Sequence, residues 1–220
     1  MKCAIILAGC GQHDGSETHE VILTLLSLDQ EGITWSAFAP DIQQPCVVNH
    51  VDETRSTSES RSVLQESARL VRGRIAALNT LQIDDFDAII FPGGLGAVTT
   101  LCDWFEKKSA FDFILDVERV VSDARSKKKP MGFICIAPVM IPKIYPNAEL
   151  TIGNDSAIAA LIQSTGCKHV DCSADEIVID HQNKVISTPA NMVANSITEV
   201  YSGIRKLVHA LKHMSGCDET

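Results

Sequence analysis

The stretch Asp87-Ala88-Ile89-Ile90-Phe91-Pro92-Gly93-Gly94-Leu95-Gly96 decides the class of fold. Asp87–Phe91 is a short apolar run without the alternation of a half-exposed strand, and Pro92-Gly93-Gly94 closes it. Such a strand is buried on both faces, which happens when helices cover both sides of a mainly parallel sheet. The same pattern recurs outward from it. Cys3–Ala8 and Met131–Ile136 are continuous apolar runs, and Thr34–Ala39 is a further strand ended by Pro40-Asp41. Between them stand segments of helical period. Glu20–Gln30 carries Val21, Leu25 and Leu28 on one face, and Ser58–Arg72 carries Val63, Leu64, Ala68 and Val71. Phe111–Lys127 reads as a helix whose basic end suits its dipole, and Asp155–Thr165 as one that Gly166 stops. Glu176–Ile179 and Val185–Thr188 flank His181-Gln182-Asn183-Lys184 as a hairpin, and Met192–Lys212 is a long closing helix. The alternation predicts an α/β fold around a mainly parallel sheet. With no linker, repeat or low-complexity tract, residues 1–220 read as one domain, and Asp52–Ser62 as an exposed connection.

Composition narrows the function. The 220 residues are 45% hydrophobic and 21% charged, which is ordinary globular composition. With 19 Lys plus Arg against 28 Asp plus Glu, the net charge of −9 argues against nucleic acid or an anionic membrane as partner. No run reaches the ~18 apolar residues of a membrane span. The apolar start after Lys2 is shorter than a secretory h-region of roughly 7–15 residues, so it reads as a first buried strand. The 8 cysteines include no C-x-x-C, the nearest pair being Cys167 and Cys172. They are expected to be reduced, Cys217 among them, in a cytoplasmic protein, and no clustered ligands point to a metal.

Ligands in such sheets sit beyond the carboxyl ends of the strands, which directs attention to three loops. Gly9-Cys10-Gly11-Gln12-His13-Asp14-Gly15 is a near miss to a dinucleotide fingerprint, its last spacing one residue too long, and reads more simply as a glycine-rich reversal. Pro92-Gly93-Gly94-Leu95-Gly96 either frees backbone amides for an oxyanion or simply lets the strand exit tightly. Gly132-Phe133-Ile134-Cys135-Ile136-Ala137-Pro138 sets a thiol between a strand and a turn that Pro138 suits for helix entry. A nucleophile elbow there would expose Cys135 at a helix N-terminus, where the dipole lowers a thiol pKa; a packed core thiol is the alternative.

Taken together, Gly-Cys-Gly…Asp-Gly-Ser-Glu-Thr-His-Glu, Phe-Ala-Pro-Asp, Val-Val-Asn-His, Phe-Pro-Gly-Gly-Leu-Gly-Ala, Gly-Phe-Ile-Cys-Ile-Ala-Pro, Leu-Thr-Ile-Gly-Asn-Asp and Thr-Pro-Ala-Asn-Met run in order across nearly the whole chain. This pattern resembles the ThiJ/PfpI group of class I glutamine amidotransferase-like proteins, and within it the bacterial isoprenoid-biosynthesis branch. The resemblance implies a flavodoxin-like three-layer α/β sandwich with a nucleophilic cysteine at an elbow. It also implies a homodimer and, as in some relatives, conversion of a small aldehyde such as glyoxal or methylglyoxal to the hydroxy acid without a cofactor. Carried over residue by residue, Cys135 is the elbow cysteine, and Gly94 and Ile136 supply oxyanion amides beside Gly93. Glu20 is the acidic partner of the thiol, with Glu17 its rival. The bland role for Glu17 is capping, because Asp14-x-x-Glu17 has capping-box spacing.

The chain departs from the wider superfamily at the triad histidine. Cys135 is followed by Ile136, and the downstream position reads Gly153-Asn154-Asp155. Glutamine hydrolysis and proteolysis are therefore not expected. His19, beside Glu20, and His50, after an apolar pair, are the histidines expected to reach the pocket, with His13 behind them. A thiol redox sensor or a small-molecule binder of the same fold is the competing reading.

Overall fold

The computed structural model describes residues 1–216, so Cys217 lies outside the described residues. Among the described residues nine strands form: β1 (Lys2–Ile6), β2 (Thr34–Ala39), β3 (Ile75–Ala77), β4 (Ala88–Phe91), β5 (Met131–Ile134), β6 (Glu149–Leu150), β7 (Lys168–His169), β8 (Val178–Asp180) and β9 (Val185–Thr188). Eight α-helices accompany them: α1 (Thr18–Gln30), α2 (Val63–Leu70), α3 (Gly96–Thr99), α4 (Trp104–Lys107), α5 (Leu115–Ser126), α6 (Ile141–Ile144), α7 (Ser156–Ser164) and α8 (Ile197–Met214).

The main sheet runs β3-β2-β1-β4-β5-β9-β8, and β6 pairs with β7 apart from it. Every neighbour in the main sheet is parallel except the β8–β9 hairpin. The strand order reverses at β1, which lies between β2 and β4. Right-handed crossovers therefore put α1, between β1 and β2, and α5, between β4 and β5, on opposite faces. The helix α8 packs on α1 and on β5 and β9. This is the mainly parallel, helix-flanked sheet of a flavodoxin-like α/β fold. Its strands β4 and β5 are wholly buried, and Phe91 stacks on Phe133 at 5.0 Å where the two pair.

Helix starts follow local capping more closely than apolar period. Ser62 caps α2 by accepting from Gln65 N, Asp155 caps α7 by accepting from Ala157 and Ile158 N, and Ser196 caps α8 by accepting from Glu199 N. The expected helices from Ser58 and Met192 therefore begin later, at Val63 and Ile197. The expected helix from Phe111 begins at Leu115, because Phe113 forms a bridge with Cys102 first. The segment Ala190–Met192 is a short 3₁₀ turn, which proves important for the site.

Gly203 lets α8 close onto the sheet. A Cβ there would lie 2.3 Å from Ala174 O and 2.6 Å from Thr188 Oγ1. Gly203→Ala is expected to destabilise the protein by about 1–3 kcal/mol through overpacking, outweighing the ~1 kcal/mol gain in helix propensity. A urea midpoint at or above that of the wild type would contradict this packing.

Candidate functional site

The carboxyl ends of β1, β4 and β5 are adjacent, and their following loops meet there. Cys135 leaves β5 with φ 63, a left-handed conformation that few non-glycine residues adopt. Its amide is held by Thr188 O at 2.9 Å on the neighbouring strand. Strain of this kind at a strand-to-turn junction is the geometry of a nucleophile elbow. Gly94, at φ 91, turns the β4 exit against the Gly15–Glu17 backbone. Its amide and that of Ile136 both point at the sulfur.

Glu20 lies beneath the elbow with its side chain out of contact with water. Its carboxylate oxygens take different partners. Oε2 accepts from Gly93 N at 3.0 Å, and Oε1 accepts from Asn191 Nδ2 at 3.0 Å and its backbone N at 3.4 Å. The Cys135 thiol also hydrogen-bonds to this carboxylate. Glu17 is the N-cap of α1, its Oε2 accepting from Glu20 N at 2.7 Å. Asn191 Nδ2 donates to that same Oε2 at 3.1 Å, so one amide joins both carboxylates. The Asp14-x-x-Glu17 box does not form: Glu17 itself is the cap, and Asp14 Oδ2 instead accepts from Val48 N at 2.7 Å.

The electrostatics reverse one expectation. Burial, reinforced by the Glu17 charge, raises the Glu20 carboxyl from 4.5 to about 7. Burial also pushes the Cys135 thiol well above its ordinary value, and the Glu20 charge adds to this; the Gly94 and Ile136 amides offset only part. The expected lowering by a helix dipole fails for a structural reason. Pro138 opens only the 3₁₀ turn Ala137–Met140, and α6 beyond it is a single turn, too short for aligned peptide dipoles to accumulate. The unliganded pair therefore keeps a proton between sulfur and carboxylate near neutral pH.

Above Cys135 opens a pocket of about 480 Å³. Cys135, Ile136, Gly94, Glu17 and Asn191 line its polar end, and Leu95, Val98, Trp104, Phe105, Ile158 and Leu161 supply apolar wall. The histidines expected to reach it do not line it. His19 is more than half exposed and faces Glu17 Oε1 at 3.6 Å. His50 sits over the glycine loop: its Nε2 accepts from His13 N at 3.2 Å and lies 3.8 Å from Asp14 Oδ1. Gly93 donates to Glu20 and so positions the carboxylate, leaving Gly94 and Ile136 as the amides at the sulfur.

Asn191 lies in the Thr-Pro-Ala-Asn-Met motif, but the residues alone give it no role in the site. The signal for it was its place after β9, next to β5 at the same sheet end. The aromatic wall, Trp104 and Phe105, comes from a one-turn helix with no periodic signature. Among the described residues, no group of three or more ligating side chains could hold a metal ion, and no helix is long and apolar enough to cross a membrane.

No family model matches the chain. A curated rat relative, the mitochondrial ES1 protein homolog, is 35% identical over 98% of this chain and 84% of its own length. The human glutamine amidotransferase-like class 1 domain-containing protein 3, also mitochondrial, matches with the same identity and coverage. The crystal structure of an isoprenoid biosynthesis protein with an amidotransferase-like domain from Ehrlichia chaffeensis superposes with a TM-score of 0.91 at 32% identity, covering 97% of this chain and 99% of that one.

Proposed function

We propose a function from one premise: the chain belongs to the glutamine amidotransferase-like class 1 family, in the branch of the ES1 and ElbB-like isoprenoid-biosynthesis proteins. On that premise it is a cofactor-independent, glyoxalase-like enzyme that converts an α-oxoaldehyde to the 2-hydroxy acid. The observation that carries the reading is the elbow thiol hydrogen-bonded to a buried carboxyl whose pKa is raised to about 7. An acid–base group poised near the working pH can both take and return a proton.

The steps balance without a redox partner. Glu20 accepts the thiol proton as sulfur adds to the aldehyde carbon, giving a hemithioacetal. The Gly94 and Ile136 amides would hold the oxygen that becomes negative. Glu20 returns that proton to the oxyanion, then takes the proton of the former aldehyde carbon while the hydroxyl proton passes to the ketone oxygen, and delivers it to the neighbouring carbon of the resulting enediolate, leaving a 2-hydroxy thioester. Water hydrolyses the thioester, with Glu17 facing the pocket to activate it, and releases the hydroxy acid and the free thiol. The absence of a histidine among the pocket-lining residues supports this route over glutamine hydrolysis or proteolysis.

The seven described cysteines are all unpaired, as suits a reducing compartment, and the curated rat and human relatives are mitochondrial, which sets a mitochondrial location beside the expected cytoplasmic one. We extend the isoprenoid association of the Ehrlichia relative to this chain as a pathway link only. A homodimer is supported by α1, whose Ile22 and Leu26 are 46% and 43% exposed one turn apart.

Methylglyoxal turned over in D₂O with no added cofactor tests the chemistry. Lactate carrying solvent deuterium at C2 is expected, since the proton passes through a carboxyl. Lactate with no deuterium at C2, together with a Glu20→Gln variant that turns over at the wild-type rate, would remove the proton shuttle.

A further inference from the structure

The pocket above Cys135 is far larger than the smallest aldehydes require. Its volume of about 480 Å³ falls in the range of roughly 300–1,000 Å³ that holds drug-sized ligands, whereas glyoxal has only four heavy atoms. Glu17 and Asn191 lie with the thiol at one end, and the rest of the wall is mainly apolar, with Gln12 and Lys108 as its polar members. Phe105 keeps 38% of its surface exposed at this pocket, and Trp104 lies beside it. Lys108 fixes this aromatic lip: its Nζ donates to Phe105 O at 2.7 Å and lies 4.7 Å from the Trp104 ring centre and 5.0 Å from that of Phe105. A rigid apolar wall leading to a reactive carbon is how binding energy from a non-reacting group is put to use.

Resting on the glyoxalase-like reading, we propose that the substrate is an α-oxoaldehyde whose ketone carbon carries an extended apolar chain. The carbonyl pair lies at Cys135, and the chain runs along Leu95, Val98, Trp104, Ile158 and Leu161. Glyoxal and methylglyoxal fill only the polar end. Each methylene taken from water into this wall is worth about fourfold in affinity.

The test compares methylglyoxal with 2-oxooctanal, using the full-length protein. The expected result is a kcat/KM at least tenfold higher for 2-oxooctanal, and a Leu161→Asn variant that loses most of that preference. A second readout does not depend on turnover. Trp104 emission, read in a Trp35→Phe protein, should change saturably with octanamide at concentrations where acetamide has no effect. Cysteine-dependent turnover of methylglyoxal with no gain for 2-oxooctanal and no octanamide binding would overturn the apolar-chain inference and leave the glyoxalase-like reading standing. Octanamide binding without turnover of either aldehyde would do the reverse, keeping the apolar occupant and removing the chemistry. Neither turnover nor binding would remove both.

Discussion

Glu20→Gln is expected to lower kcat/KM for methylglyoxal by about 10²–10⁴-fold, the usual worth of a positioned acid–base group. Gln keeps a carbonyl oxygen for the Gly93 or Asn191 donors, so the elbow stays assembled while the proton acceptor is lost. The wild-type rate should rise with pH through about 7, where Glu20 ionises, and the variant should lack that limb. Stability carries a second signature. The folded state raises the Glu20 carboxyl from 4.5 to about 7, so it holds a proton that the unfolded chain has released. The stability this contributes is fully present below pH 4.5 and is lost as pH rises through about 7. The difference is worth about 3 kcal/mol, or roughly 6–12 °C in Tm for a chain of this size. Gln has no proton to lose, so the fall in Tm from pH 5 to pH 8 should be smaller by that amount in the variant. Equal falls in both proteins would contradict a raised Glu20 carboxyl.

Gly93→Ala is expected to damage fold and site together. Its Cβ would lie 2.3 Å from Cys135 Cβ, 2.6 Å from Glu20 Oε2 and 2.9 Å from Ile134 O. The elbow cannot give way easily, because Cys135 N is tied to Thr188 O across the sheet. The cost is expected to be about 3 kcal/mol or more, at the upper end for overpacking. Any relaxation must part the sulfur from the carboxyl, and a displacement of about 1 Å can cost 10²-fold in rate. Urea denaturation and turnover should therefore fall together. A variant with wild-type midpoint and rate would show that Gly93 does not hold the two groups in contact.

Much of this architecture was legible in the residues. Asp87–Phe91, Thr34–Ala39 and the 181–184 turn announce themselves through continuous apolar runs and turn chemistry, both local properties. The carboxyl-end rule then sends attention to the loops after β1, β4 and β5, which the strand order brings side by side. Glu20 and Glu17 illustrate the limit. Both lie at the start of α1, and spacing alone does not say which turns inward. The fold decides: Glu17 caps the helix at the pocket edge, and Glu20, one turn on, passes beneath Gly93. The histidines misled because adjacency in sequence is not adjacency in space. His19 follows the exposed side of the helix start, and the 42–62 connection carries His50 to the glycine loop. Asn191 and the aromatic wall depend on how distant segments pack, which no local pattern encodes.

The account stands on Cys135 as the nucleophile. Its most direct test is hydroxy-acid formation from glyoxal and methylglyoxal, without added cofactor, by the wild type and Cys135→Ser side by side. The account predicts turnover by the wild type and a background rate for the serine variant, with both proteins folded. Turnover that survives in Cys135→Ser, or background rates in both proteins with glyoxal, methylglyoxal and 2-oxooctanal alike, would contradict it.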